Sequence, residues 1–185
     1  MQYHIISDDN YFLLGAKKFL ADLNKEITYS QAEMVLNKFI SRHNDIVILN
    51  IKNVFLREKI FLEPKIKCCR LIILMEENTI ERRVENDCFP WVAADNISGS
   101  SLLAILEKAE SSPFVKNNVT ELECLLFQYL VEGYRFSWME KWFGLERKYL
   151  YLQKQRTLKR YGIRIGHPGG VLIFRDITKV CPLVI

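Results

Sequence analysis

Two near-continuous apolar runs, residues 46–51 and 71–75, constrain the fold of this chain more than any other feature. Strands that are apolar on both faces are typical of parallel sheets with helices on either side. Shorter strand-like runs occur at residues 4–6 and 91–94. These four runs predict a buried parallel sheet in the first half of the chain.

Amphipathic stretches separate these runs. Residues 11–23 have leucines at roughly helical spacing. Residues 31–43 begin at a capping box, formed by Ser30 and by Glu33 three residues later. Weaker helical patterns occupy 78–86 and 101–108. Alternating strands and helices predict an α/β fold for residues 1–110.

A composition change divides the chain. Residues 111–118, within the polar, proline-containing stretch ESSPFVKNN at 110–118, form the best candidate linker, and we expect a second domain over 119–185. Residues 1–112 carry 14 Lys/Arg and 16 Asp/Glu, whereas residues 113–185 carry 12 and 6. A basic half joined to a mildly acidic half predicts a polyanion-binding module with a partner domain that does not bind the polyanion.

Several classes of protein are disfavoured by what the sequence lacks. The five cysteines have no CxxC spacing, and the three histidines are scattered, so we predict no metal and interpret the cysteines as small buried hydrophobic residues. There is no phosphate-binding glycine loop and no GxSxG, so we expect neither a cofactor nor catalysis. The absence of a long apolar run or a signal-peptide start predicts a cytoplasmic protein without a membrane partner.

The second half predicts three closely spaced helices. The first, 121–132, begins at a Thr120–Glu123 capping box and ends at Gly133. The second, 138–143, begins at a second predicted capping box, Ser137 with Glu140, and Gly144 ends it. The third covers 147–161 and ends at Gly162. A short helix, a glycine turn and a longer basic helix are typical of a helix-turn-helix.

The third helix has a one-sided charge. Residues 147–164 contain seven cationic residues and no acidic one, whereas solvated helix faces usually mix both signs. Such a helix can neutralise phosphates in a DNA groove while polar side chains between the cations contact base edges.

Residues 119–163 resemble the LuxR/FixJ helix-turn-helix domain without a gap. The resemblance is carried by Thr120, Glu123, Gly133, Met139, Phe143, Leu145, Leu150 and Gly162. It implies that the positions facing the bases are Tyr151, Leu152 and Gln155. It further implies contacts to the DNA backbone or to flanking bases at Lys148, Gln153, Lys154, Lys159 and Arg160.

The chain departs from this family at several points. Tyr151 replaces a common Lys, Glu140 replaces a buried Ala, and Trp138 and Trp142 are unusually bulky. The family continues with a fourth helix after Gly162, but here residues 163–165 and 171–174, separated by HPGG, predict a β-hairpin. This hairpin would serve as a DNA-contacting wing, as a dimerisation strand or as cover for the domain's own core.

The first half resembles a response-regulator receiver, a flavodoxin-like fold. The residues that carry this resemblance are Ile5-Ile6-Ser7-Asp8-Asp9, then Gly15, and the strand ending in Asn50. The phosphoacceptor position falls on Asn50, the hydroxyl position on Met75, the lysine position near Ala94, and the paired carboxylates on Ser7 and Asp8 or on Asp8 and Asp9. An amide cannot carry an aspartyl phosphate, so the resemblance implies a receiver fold without phosphorylation. An unrelated α/β domain is the alternative.

Together these features predict a DNA-binding transcriptional regulator that does not depend on phosphorylation. It is similar to auxiliary regulators of enteric bacteria, which implies a homodimer or a heterodimer with a related regulator on double-stranded DNA. The alternative is a protein-interaction module that sequesters a related regulator without binding DNA. An enzyme is the third and weakest hypothesis.

Overall fold

The computed structural model describes residues 1–21, 23, 25–36, 39–81 and 88–184. The strands are β1 (Tyr3–Ser7), β2 (Ile27–Gln31), β3 (Ile46–Asn50), β4 (Arg70–Met75), β5 (Cys88–Phe89), β6 (Trp91–Ala94), β7 (Val115–Lys116), β8 (Val119–Thr120) and β9 (Leu183–Val184). The helices are α1 (Asn10–Phe19), α2 (Ala32–Val35), α3 (Val54–Leu62), α4 (Gly99–Ser111), α5 (Glu121–Val131), α6 (Phe136–Phe143), α7 (Arg147–Arg160) and α8 (Pro168–Thr178). No helix within the described ranges is long and apolar enough to span a bilayer.

Five strands form a wholly parallel sheet in the order β2-β1-β3-β4-β6. This is the strand order of a flavodoxin-like sheet, in which the chain reverses direction of winding after β2. The four strands expected from the apolar runs all lie in this sheet. The prediction of an α/β, receiver-like first half and a helical second half is therefore confirmed.

Alternation along the strands gives the sheet two apolar faces. Ile5 and Ile48 point to one face, where they belong to a buried cluster with Ala16 of α1 and Ile105 of α4. All four side chains are almost completely buried. Helices α1 and α4 therefore cover this face.

The opposite face is covered jointly by the first and second halves of the chain. Ile6, Leu49 and Ile73 belong to one buried cluster that also contains Phe127 of α5 and Phe174 of α8. The rings of Phe127 and Phe174 pack with their centroids 4.3 Å apart. The helical half is therefore docked on the sheet through a continuous apolar core.

A buried ion network fixes this docking between α3 and α8. The carboxylate of Asp176 has no exposed surface, and it accepts hydrogen bonds from Arg57 Nε at 2.8 Å and Arg175 Nη2 at 2.6 Å. Glu58 pairs with Arg175 at 3.2 Å and also with Lys179, and the pKa of its carboxyl group is lowered chiefly by the hydrogen bond from Lys179. Each buried charge thus has a partner of opposite sign.

Residues 111–118, the candidate linker, are tied to the first half. Helix α4 continues to Ser111, and β7 pairs with β5. The guanidinium group of Arg70, on β4, donates to the backbone carbonyls of Ala109 and Ser112. Directly after this segment, β8 pairs in parallel with β9 at the other end of the helical half.

The helix predicted over 31–43 is confirmed only at Ala32–Val35, and the described residues 39–43 are not helical. Ser30 lies in β2, opposite Ile6, and does not cap a helix. The N-cap residue of α2, Gln31, makes no side-chain capping bond. Strand β2 is only half-buried at the edge of the sheet, so it lacks the apolar pattern by which the inner strands were recognised.

Helix α3 was not predicted. Asn53 caps this helix by accepting a hydrogen bond from the Leu56 amide. The helix has apolar residues on all sides: Phe61 is buried, whereas Phe55 and Leu62 are exposed. The weak helix predicted at 78–86 is replaced at its start by a 3-10 helix, Glu77–Thr79, and residues 82–87 lie outside the described part.

The C-terminal β-hairpin is also wrong, because residues 168–178 form α8. Pro168 stands in the first turn, where its missing amide hydrogen is not needed, and the imidazole of His167 accepts from the Gly169 amide. Gly170 serves close packing, since a Cβ atom there would lie 2.5 Å from Ile163 Cγ2. The expected strand at 163–165 is reduced to a single antiparallel bridge between Ile80 and Ile163.

We predict that Asp176→Asn lowers the free energy of unfolding by about 3–5 kcal/mol, because two buried guanidinium groups lose their shared carboxylate. Urea denaturation followed by tryptophan fluorescence measures this loss. The matched control is Glu140→Gln, which makes the same chemical change in an exposed ion pair with Arg147 and should have a much smaller effect. Equal losses in the two variants would contradict a central role for the buried network.

Candidate nucleic-acid interface

Helices α5, α6 and α7 form the predicted helix-turn-helix arrangement. The Thr120–Glu123 capping box is confirmed: the Glu123 amide donates to Thr120 Oγ1 at 3.2 Å, and the Thr120 amide donates to Glu123 Oε2 at 2.9 Å. Gly144 ends α6 in the left-handed region with φ 64°, which favours glycine, so the chain turns sharply into α7.

The second predicted capping box, Ser137 with Glu140, is wrong. Helix α6 begins at Phe136 with Arg135 as its N-cap, and no side chain caps it. Glu140 instead accepts from Arg147, with 3.1 Å between Glu140 Oε2 and Arg147 Nη2. This pair joins the end of α6 to the start of α7, and the hydrogen bond from Arg147 lowers the pKa of the Glu140 carboxyl group.

The inner side of α7 is anchored by Glu123. This residue is only 2% exposed, and its Oε1 accepts from Thr157 Oγ1 at 2.7 Å and from Arg160 Nη2 at 3.0 Å. Leu150 and Leu158 of α7 are fully buried beside it. One glutamate therefore both caps α5 and fixes the position of α7, a second role that the capping-box spacing alone did not reveal.

The outer side of α7 faces solvent. Of the eight residues predicted to contact DNA, five are exposed and three are half-buried. The exposed ones are Lys148, Tyr151, Leu152, Lys159 and Arg160, and the half-buried ones are Gln153, Lys154 and Gln155. All eight lie on one continuous helix of 14 residues. The structure therefore brings every predicted position onto one element.

Neighbouring carboxylates pair with only part of the positive charge on α7, since Arg147 contacts Glu140 and Arg160 contacts Glu123. Within the described part of the chain, Lys148, Arg156 and Lys159 form no ion pair, and α7 itself contains no acidic residue. Arg160 differs, because Glu123 holds it and its guanidinium group also lies 5.4 Å from the Tyr161 ring. The outer face of α7 therefore carries a net positive charge directed toward solvent.

Aromatic side chains border the cationic face. Tyr151 stacks on Phe136 with 4.0 Å between ring centroids, and 47% of Tyr151 remains exposed. The rings of Tyr134, Trp138 and Trp142 stack in succession, with centroid separations of 4.4 and 5.3 Å, along α6. The bulky tryptophans noted in the sequence thus form an exposed aromatic ladder rather than core packing.

The receiver-like position is Asn50, at the C-terminal end of β3. Asn50 is buried, and its backbone carbonyl accepts from Ser7 Oγ at 2.7 Å. The Asp8 carboxylate accepts from the backbone amides of Lys52 and Asn53, the latter at 2.8 Å. Asp9 caps α1 by accepting from the Tyr11 and Phe12 amides.

The residue types at this position do not fit the magnesium site of a receiver. Both neighbouring carboxylates accept hydrogen bonds from backbone amides, and the side chain of Asn50 is a neutral amide. Met75 and Ala94 end the next two strands of the sheet. Over the described residues, no group of three or more histidine, cysteine, aspartate or glutamate side chains is placed to hold a metal.

No protein-family model matches the chain, and no curated protein matches its sequence. Among solved structures, the chain is similar to RcsB from Salmonella enterica serovar Typhimurium bound to the promoter rprA, with 14% identity and a TM-score of 0.46 over 95% of this chain and 98% of that one. It is also similar to a two-component response regulator RcsB–DNA complex, with 16% identity and a TM-score of 0.44 over 94% and 96%. Likenesses this distant assign neither a family nor a function.

We predict that Glu123→Ala lowers the free energy of unfolding by about 2 kcal/mol or more, because it removes a helix cap and leaves Thr157 and Arg160 without their acceptor. Glu121→Ala, in the same helical turn but exposed, is the matched control and should change stability by less than about 0.5 kcal/mol. Thermal or urea unfolding provides the measurement. Equal effects would show that Glu123 acts only through its charge near the helix N-terminus.

Proposed function

We propose that the chain is a sequence-specific, double-stranded-DNA-binding transcriptional regulator of the LuxR type, and that α7 is its recognition helix. The observation that carries this proposal is the outer face of α7, which is exposed, cationic and free of acidic residues. A helix of this kind fits the major groove, where phosphate contacts provide affinity and base contacts provide specificity. We further propose that residues 1–110 and 119–185 act as regulatory and DNA-binding parts.

The exposed positions suggest a division of roles along α7. Lys148 and Lys159 lie near opposite ends of the helix, where lysines would neutralise phosphates on either side of the groove. Tyr151, Leu152 and Gln155 lie between them and would face bases. A glutamine can form a bidentate contact to adenine, and a leucine can contact a thymine methyl group. Arg160, held by Glu123, would present its guanidinium group in a fixed orientation.

We predict different effects for Lys159→Ala and Gln155→Ala in fluorescence anisotropy with specific and random duplexes. Lys159→Ala should weaken both complexes and reduce the slope of log K against log salt by about 1. Gln155→Ala should lower affinity for the specific duplex by about 1–3 kcal/mol and leave random DNA almost unchanged. Lys18→Ala is the matched control, because exposed Lys18 lies on α1, which covers the other face of the sheet.

Equal losses on both duplexes for both α7 variants would contradict this division of roles. Failure of the wild-type chain to bind any duplex at low salt would contradict the function itself.

We also propose that DNA binding does not depend on phosphorylation. The support is chemical: Asn50 cannot form an acyl phosphate, and Asp8 and Asp9 already accept hydrogen bonds from backbone amides. Restoring a carboxylate at position 50 would therefore leave the other parts of the receiver reaction missing, since Met75 and Ala94 provide neither a hydroxyl nor a cation.

We predict no phosphoryl transfer from acetyl phosphate with Mg²⁺ to the wild-type chain or to Asn50→Asp, with a functional receiver as positive control. Phosphate-affinity gel electrophoresis measures the adduct, and anisotropy should show the same DNA affinity with and without the donor. A stable adduct on the wild-type chain would refute phosphorylation independence. An adduct on Asn50→Asp alone would show that Asp8 remains available despite its amide contacts.

Regulation would then come from association with a second chain. We propose a homodimer or a heterodimer with a related regulator, bound to a two-fold or pseudo-two-fold site with half-sites about one helical turn apart. The support is a receiver-like fold that keeps its sheet and helices but not the residues of its phosphorylation chemistry.

A second function is favoured by the aromatic ladder on α6. Trp142 is 64% exposed, and Trp138 and Tyr134 continue the same surface. Exposed stacked aromatic residues are enriched in protein interfaces, so the chain would sequester a related regulator without binding DNA. The anisotropy titration of the wild-type chain alone separates the two functions, because an antagonist of this kind would not bind duplex DNA.

A further inference from the structure

A cavity lies behind the recognition helix, between the C-terminal end of α5, the middle of α7 and the N-terminal end of α8. Its volume is about 470 Å³, and its lining includes Leu130, Val131, Lys154, Pro168, Val171 and Leu172. This volume lies within the range of roughly 300–1,000 Å³ found for small-molecule sites. Four aliphatic side chains line the cavity together with the cationic side chain of Lys154.

Lys154 is the only cation of that wall within the described part of the chain, and it has no partner there. It is half-buried, it forms no hydrogen bond or ion pair with any described residue, and no acidic residue lines the cavity. Burial lowers the pKa of its ammonium group, because the charged form loses hydration without gaining a counter-ion. A bound anion would supply that missing counter-ion.

The neighbouring imidazole does not fill this role. Nδ1 of His167, which also lines the cavity, lies 3.2 Å from the Gly169 amide and 3.3 Å from Thr79 Oγ1. The ring is therefore held by the start of α8 and by the residues after β4. Lys154 remains as the polar group to which a ligand would bind.

We infer that this cavity binds a small amphipathic anion, with a carboxylate paired to Lys154 and an apolar chain or ring against Leu130, Val171 and Leu172. The carboxylate would form a charge-assisted hydrogen bond with the ammonium group, and the apolar part would leave water. A DNA phosphate satisfies only the first requirement, so the apolar wall favours a free small molecule. This inference does not depend on DNA binding.

Isothermal titration of the full chain with octanoate tests the inference. Octylammonium has the same chain length and the opposite charge, and acetate has the same charge without the apolar chain. Each should bind at least ten times more weakly than octanoate, which corresponds to about 1.4 kcal/mol. Equal binding of octanoate and octylammonium, or no octanoate binding below its micellisation limit, would overturn the inference.

Variants on α7 locate the binding. Lys154→Met should weaken octanoate binding at least tenfold, whereas Lys154→Arg should retain most of it. Lys148→Met removes an exposed cation from the same helix and should leave binding unchanged. If Lys154→Met binds octanoate like the wild type, or if Lys148→Met weakens it equally, the site lies elsewhere and the inference fails. Thermal unfolding of each variant confirms that it is folded.

Discussion

The carboxylate of Asp176 connects the two halves of the molecule. It is fully buried in α8 and accepts from Arg57 of α3 and from its neighbour Arg175. A buried ion network stabilises less than an apolar contact of equal size, but it permits very few arrangements of its partners. The apolar core between the sheet and the helical half provides the driving force for docking. In the resulting orientation, the ion network joins α8 to α3 through the 2.8 Å contact between Asp176 and Arg57 Nε.

That orientation determines what α7 presents to solvent. Helices α5 and α8 contribute Phe127 and Phe174 to the core on the sheet, whereas α7 packs on α5, α6 and α8. Glu123 then holds the inner side of α7 through Thr157 and Arg160. The cationic side is left facing outward. The exposed side of α7 therefore faces solvent while the helical half remains docked on the sheet.

The parts of the fold that were predictable have strong local signals. Strands β1, β3, β4 and β6 are apolar runs, and α5 has a reciprocal capping box. The edge strand β2 has no such run, and α3 has apolar residues all round, so periodicity identified neither. The error at α8 has a different cause: Pro168 and Gly170 occur in turns, but here one starts a helix and the other permits contact with Ile163. That contact forms only in the folded chain, so the residues around Gly170 give no sign of it in the sequence.

The candidate site also has features that the sequence predicts and features that it does not. The segment 147–164, with seven cations and no acidic residue, is visible in the sequence, and its exposure follows from which residues are apolar. The half-burial of Lys154 is not visible in the sequence, because Leu130 and Val171, which line the same cavity, are distant from it along the chain.

The receiver-like residues show more clearly how far a family resemblance can predict a site. Asp8 and Asp9 match the acidic turn of that fold, yet one carboxylate binds the amides after β3 and the other caps α1. Backbone amides bind both carboxylates, so the acidic turn stabilises the loop after β3 and the start of α1.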